Sequence, residues 1–493
     1  MVLGMGGSSL APDVMRETFG KINGYPQLKV LDSSDPAQVK ALDESLDITR
    51  SLFIVSSKSG TTTEPDAFFR YFYDRTSKAV GAANAGKHFV AITDPETKLA
   101  KEAAEHSFRK IFINPPDIGG RYSALSYFGM APAALAGYDI SKILDRALGA
   151  LHAASSSVDS GNAPAVKFGA AIGSLAKAGR DKLTIVTHPA LSAFGYWAEQ
   201  LLAESTGKMG TGIVPIEGEP LGSPQVYGSD RQFVFVGDRL PNTPKDLEDK
   251  LAALEAAGHP VMRLVMDDIY DIGEQFYLWE IATAAAGSVL GIDAFDQPNV
   301  QESKDNTKRL LDELAKSHQK TFPEPKPDLT SEAAKVIAIS GSKSDNLGLS
   351  LATALAAVMG QVQPGDYVAI NAYVPMTDEH RKALLAIRLK IRDGKKVATT
   401  VGFGPRFLHS TGQLHKGGPP TGVFLQLTYD PAIALQIPGM VEFGTLERAQ
   451  ALGDFESLDK RNRRGVRIHF SGDATSGLTA LASAIDEALA ARV

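Results

Sequence analysis

Short β-rich runs alternate with longer helical patterns from the first residue to about residue 152. Residues 1–4, 28–31, 52–55, 88–92 and 110–113 read as strands, and 9–19, 35–46, 64–78 and 96–105 as helices. That alternation predicts a parallel, doubly wound sheet. Beyond Tyr138, the residues Ile140, Ile143, Leu144, Leu148 and Leu151 fall on one helical face. A small, polar stretch at 153–163 reads as a linker. A second alternating block follows, with strands at 183–187, 232–236 and 261–266 and helices near 191–204, 244–257 and 272–290. Residues 318–331, with three prolines, read as a second linker. A third block has strands near 336–339, 367–372, 396–401, 423–428 and 466–470, with helices near 346–360, 376–393 and 476–491. The expected division is 1–152, 164–317 and 333–493, all α/β, with the first two blocks resembling copies of one architecture.

Composition narrows the function classes. The chain has 493 residues, 43% of them apolar and 22% charged, as in ordinary soluble domains. A formal charge of −6 argues against whole-molecule attraction to nucleic acid or acidic lipid. The basic run at 460–467 reads as solvated surface. Cysteine is absent, which removes disulfides and thiolate chemistry and fits a reducing, cytoplasmic setting. The apolar stretches 128–137 and 281–292 fall short of the roughly 20 residues a membrane span needs, and no secretory signal is evident. Residues 1–4 already read as a buried strand entering a glycine turn, which leads to the expectation that upstream sequence is missing.

Several segments carry candidate chemistry. Residues 57–65, SKSGTTTEP, combine hydroxyls, Lys58 and a glycine between a strand and a helix start, a natural anion site. An N-cap with solvated hydroxyls is the plainer alternative. Residues 4–9, GMGGSS, half match a dinucleotide fingerprint, with Ser9 in place of the third glycine and Asp32 where a ribose-binding acid would stand. Read alone, Arg121 in 119–123, Glu204 in 204–208 and Lys304 in 295–304 are equally compatible with capping and surface ion pairs.

Taken together and in order, these segments resemble the phosphoglucose isomerase family over about residues 1–310. GGRYSALS at 119–126 and FDQ-x-x-V-x-x-x-K at 295–304 look like its two signatures, and ESTGK at 204–208 like its catalytic-base segment. The full length, including GPRFLHSTGQLHKGGPPTGVFLQ at 404–426, looks most like the isomerase half of fused transaldolase/glucose-6-phosphate isomerase proteins. That resemblance implies an upstream transaldolase segment, although nothing in this chain resembles a transaldolase and no such activity is expected of it.

The resemblance further implies two sugar-isomerase (SIS) domains, each with a five-stranded parallel sheet, and interconversion of glucose 6-phosphate and fructose 6-phosphate through a cis-enediol. By position, Ser57, Lys58, Ser59 and Thr62 match the phosphate cradle, and Gly7 and Ser8 the loop beside it. Glu204 matches the base moving a proton between C1 and C2, and Arg121 the group stabilising the enediolate. Lys304 and Gln297 match the substrate-contacting pair. No metal or redox cofactor is implied. Members of the family generally dimerise, and the sequence leaves a homodimer open. A non-catalytic sugar-phosphate-binding SIS module is the alternative reading, and a nicotinamide-dependent dehydrogenase a third.

Two departures stand out. Family members carry a ring-opening histidine downstream of the base, but no histidine occurs between Glu204 and His259, and Gln232 is the nearest counterpart. Asn299 replaces a small residue in the second signature. Residues 404–419 hold two histidines and two cations, which leads to the expectation that ring opening has passed to His415, adjoined by Lys416, or to His409.

Overall fold

The computed structural model describes residues 1–155, 163–317, 322, 325–342 and 347–491. Of the expected linkers, 156–162, 318–321, 323 and 324 lie outside them, while Leu329–Thr330 of the second forms a strand.

The first sheet is fully parallel, in the order β2-β1-β3-β4-β5, from β1 (Val2–Leu3), β2 (Val30–Leu31), β3 (Phe53–Ser56), β4 (Phe89–Thr93) and β5 (Lys110–Ile113). The second, also parallel, runs β7-β6-β8-β9 from β6 (Lys182–Thr187), β7 (Val214–Ile216), β8 (Arg231–Asp238) and β9 (Val261–Val265). It has four strands rather than the five expected. After β9 the chain enters the 19-residue helix Ile272–Leu290, and no further strand precedes Pro298. β7 escaped the sequence pattern because it is three residues long and carries Pro215, which edge strands tolerate.

The third sheet runs β10-β11-β15-β14-β12-β13. Its parallel part comprises β12 (Tyr367–Ala372), β13 (Ala398–Phe403), β14 (Gly422–Thr428) and β15 (Arg464–Phe470). β10 (Leu329–Thr330) and β11 (Ala334–Ala338) add an antiparallel edge. The fold is therefore α/β, with two SIS-type doubly wound sheets and a third α/β block.

The blocks share their cores. Helix Phe194–Thr206 puts Trp197 and Leu201 into one cluster with Val2, Leu10 and Val14 of the first block and Phe276 and Trp279 of helix Ile272–Leu290. The third block covers both sheets. Its Phe443 and Leu446 pack on Phe53, Val55 and Phe68, while Leu414 and Phe424 pack on Ala203, Val214 and Ile216. Helix Ile140–Ser155 lies along helix Ile272–Leu290. Its expected apolar face is only partly buried, since Ile143 is enclosed while Leu148 and Leu151 are 48% and 41% exposed. Among the described residues, no helix is long and apolar enough to cross a membrane.

Candidate active site

Helix Phe194–Thr206 is buried on nearly every side, and its last turn delivers Glu204. Glu204 Oε1 lies 3.8 Å from Arg121 Nη1, and Oε2 accepts from Gln200 Nε2 at 3.2 Å. Burial raises this carboxyl above its ordinary value, against the pull of Arg121, His409 and Lys304. A carboxylate whose pKa is raised this way is moved toward neutral pH, where a general base works best.

Arg121 does more holding than its motif suggests. It donates to Ser205 Oγ at 2.6 Å, Gln297 Oε1 at 2.6 Å, Ala294 O at 2.7 Å and Asp296 O at 2.9 Å. Lys208 Nζ reaches the same loop at Asp293 O and Asp296 Oδ1, both at 2.6 Å. Two cations thus tie the base segment to the second signature. Gln297 itself is exposed beside the guanidinium it binds.

Gly7 is fixed by a close approach. A Cβ there would stand 2.0 Å from Gly120 O, so the loop after β1, with Ser8 buried in it, rests directly on the loop bearing Arg121. Gly7→Ala is expected to cost roughly 3 kcal/mol through overpacking and to lower activity by moving Arg121. Melting temperature and turnover of the purified variant check both effects.

The hydroxyl-rich segment opens helix Thr63–Val80. Ser57 Oγ is buried without a hydrogen-bond partner, and Ser59 Oγ lies 3.0 Å from Thr61 Oγ1. Thr62 occupies the N-cap with its hydroxyl unused for capping. Lys58 turns aside, bonded to Asp94 and, at 2.9 Å, to Pro116 O. The cup therefore offers hydroxyls and a helix N-terminus more than an open ammonium.

One turn on, Glu64 is buried and accepts from His409 Nε2 at 2.9 Å and Gln450 Nε2 at 2.6 Å. Burial alone would raise its carboxyl, but His409, with Lys304, overrides this and holds it below the ordinary value. An ionised Glu64 leaves Nε2 only the donor role. Gln200 Nε2 also donates to His409 O at 2.7 Å, so one amide bridges His409 and Glu204. Glu64, Lys304, Thr307 and His409 line one cavity of about 30 Å³, and Lys304 is exposed at its edge on helix Pro298–Ser317.

His409 and His415, paired in the sequence reading, part company here. His415 is fully enclosed among Tyr367, Phe407 and Phe424, and burial, with Lys416 and Arg463 nearby, drives its pKa well below the usual imidazole range. Lys416 is consumed by Asp454 at 2.7 Å. The preference for His415 is therefore reversed. The helix Gly412–Gly417 turns His415 into the core, while the preceding turn, Arg406–His409, presents His409 to Glu64.

Gln232 braces β8 to Arg180 O at 2.6 Å and has a structural place. Asp32, the ribose-acid candidate, is buried against Arg406 Nε at 3.4 Å and Ser9 Oγ at 3.3 Å, which leaves the dinucleotide reading without its acid. The basic run is not a solvated patch. Arg461 pairs with Glu302 and Arg464 with Asp366, while Arg463 and Arg467 are buried.

Glu64, Gln200, Gln413 and Gln450 were not singled out by sequence. Gln413 explains Asn299, for its Nε2 donates to Asn299 Oδ1 at 2.8 Å and to Gly207 O at 2.9 Å, and its Oε1 accepts from Asn299 N at 2.8 Å. Gly207 leaves room for this contact, since a Cβ there would meet Leu414 Cα at 2.4 Å.

Two parallel, doubly wound sheets packed around a buried carboxylate, with a hydroxyl-lined helix start in the first block, define a class of phosphosugar-isomerase folds. The family model for phosphoglucose isomerase matches residues 1–215. Glucose-6-phosphate isomerase from Symbiobacterium thermophilum is 31% identical over 63% of this chain and 79% of its own length. That from Pediococcus pentosaceus is 31% identical over 63% and 80%. Among solved structures, a hypothetical protein from Thermus thermophilus aligns with a TM-score of 0.55 and 26% identity, covering 62% of this chain and 82% of that one. A Chlamydia trachomatis glucose-6-phosphate isomerase shares the fold, with a TM-score of 0.53 and 20% identity over 66% and 70%. The chain belongs to the phosphoglucose isomerase family.

Proposed function

We propose that this chain interconverts glucose 6-phosphate and fructose 6-phosphate through a cis-enediol, with the first block holding phosphate, the second the base and the third the ring-opening histidine. The observation that carries this reading is Glu204, buried, 3.8 Å from the Arg121 guanidinium and within the fields of Lys304 and His409. Ser57, Ser59 and Thr62 receive the phosphate at the helix start, with Lys58 adding charge, and this remote contact holds the reacting carbons in register. Glu204 takes the proton from C2 of the open-chain aldose and returns it to C1. Arg121, with Lys304 at the cavity edge, supplies the positive field in which the enediolate forms. Gln297, bonded to Arg121, contacts the sugar.

His409, oriented by Glu64, serves as the acid–base group that opens the ring. His409→Asn is expected to slow turnover of the cyclic substrate by about 10²–10⁴-fold, with a much smaller loss on an open-chain analogue, while His415→Phe leaves both rates near wild type. Parallel steady-state assays on the two substrates check this, and equal losses on both would remove His409 from ring opening. Pairing with a second copy, a cytoplasmic setting and an upstream transaldolase segment belong to the same reading, supported by the likeness of residues 404–426 to the fused proteins. A coupled assay from fructose 6-phosphate to glucose 6-phosphate tests the whole proposal. Binding without turnover would instead favour the non-catalytic module.

A further inference from the structure

The third block contains a polar cavity that the isomerase reading does not use. Along β14 and β15 the side chains alternate, with Val423, Leu425, Val466 and Ile468 in an apolar core and Gln426 and Arg467 on the opposite face. The strand order β13-β12-β14-β15 places β13 and β14 on opposite sides of β12. The chain leaves β12 in one direction and returns past it to build β14. In open α/β sheets, ligands settle outside the carboxyl ends of the strands at such a switch point.

A cavity of about 220 Å³ lies there. It is lined by Tyr373 just beyond β12, Thr428 at the end of β14, Arg467 and His469 on β15 and Glu447 on helix Phe443–Lys460. Arg467 is 1% exposed, and its Nε and Nη1 have no hydrogen-bond partner. Among the described residues no carboxylate lies within ion-pair distance of it, and Asp430 on the same cavity wall bears on it only through its charge. Burial, with Arg448 close by, pushes this guanidinium down to about 10. The Tyr373 hydroxyl and Glu447 Oε1 are also buried and unpartnered. Burial, with Asp35 nearby, raises the Glu447 carboxyl well above its ordinary value. Buried polar groups are nearly always satisfied, and an isolated buried cation is costly. Here a guanidinium and a phenol hydroxyl around one cavity both have buried donors without a partner, and both suit an acceptor with negative charge.

We propose that this cavity is a second binding site, separate from the isomerase cleft, for a small organic oxyanion whose carboxylate or phosphate group is held by Arg467 and Tyr373. Thermal unfolding of the full chain in chloride buffer, with added inorganic phosphate or succinate at matched ionic strength, tests it. Wild type is compared with Arg467→Met and with Thr445→Trp, whose indole would fill the cavity from its half-buried rim. The expected result is that at least one anion raises the melting temperature of wild type more than that of either variant, with affinity weakened tenfold or more in both variants. A phosphate-selective effect assigns a phosphate ester, and a succinate-selective effect a carboxylate. If Arg467→Met does not fold, Thr445→Trp carries the comparison. Equal shifts for both anions in wild type and variants, as expected from binding only at the Ser57 cup or the surface, would overturn the proposal.

Discussion

Replacing Glu204 with glutamine is expected to lower kcat by about 10²–10⁴-fold with little change in KM. The amide nearly preserves the shape of the carboxylate and keeps an oxygen for the bond from Gln200 Nε2, 3.2 Å away in the native chain. What it loses is the ability to accept a proton from carbon. Substrate binding, carried by the hydroxyl-lined cup more than by Glu204, should persist. Removing a buried charge also spares its desolvation, so the variant should fold and its melting temperature should stay close to that of wild type. Steady-state kinetics with circular dichroism as a folding control decide the matter. Activity above a tenth of wild type would move the base elsewhere, with Glu64 as the next carboxylate to replace.

The second large effect concerns stability and pH. On the same helix, five residues before the base, Glu199 is buried against Glu217, with Ser410 Oγ donating to Glu199 Oε1 at 3.0 Å. Burial and the charge of Glu217 push the Glu199 carboxyl up to about 8. The unfolded carboxyl titrates near its usual value of about 4.3. The folded state therefore keeps a proton that the unfolded state has released. Stability from this group is complete below that lower value and drains away as pH climbs to about 8. Melting temperature should fall between pH 5 and 8, and Glu199→Gln, which cannot ionise, should flatten the fall. An unchanged slope in the variant would place the linked proton elsewhere.

The sequence revealed what repeats locally. β3 and β4 are runs of buried, mostly β-branched and aromatic residues, β12 is buried throughout, and β15 alternates Val466, Ile468 and Phe470 with polar residues, so their positions followed from pattern alone. The glycine turns and the hydroxyl-rich helix start were legible for the same reason, since each is complete within a few residues.

Helix Phe443–Lys460 was not legible. It buries Glu447, Gln450, Asp454 and Ser457 along with its apolar side chains, which leaves no apolar stripe to detect. Some of those polar groups find partners far away, such as Glu64 for Gln450, 386 positions distant, and Lys416 for Asp454. Helix Tyr127–Leu135 is almost uniformly apolar and read only as a greasy stretch. Helix Pro298–Ser317 hid inside a segment scanned for chemistry. The surroundings of His415 were illegible for a related reason. Lys416 and the glycines beside His415 suggested an open, charged loop, but the lysine closes on Asp454 inside the core. Local composition names the groups a site can use, while only tertiary packing decides which of them face the substrate.

The placement of His409 bears on when the enzyme becomes competent. The turn that carries it packs on β13, in a sheet whose inner strand β15, residues 464–470, is translated later still. On the proposed mechanism, a nascent chain that has released only the first two blocks still lacks its ring-opening histidine. By the same mechanism, turnover of cyclic sugar would begin only once the third block has folded onto the other two.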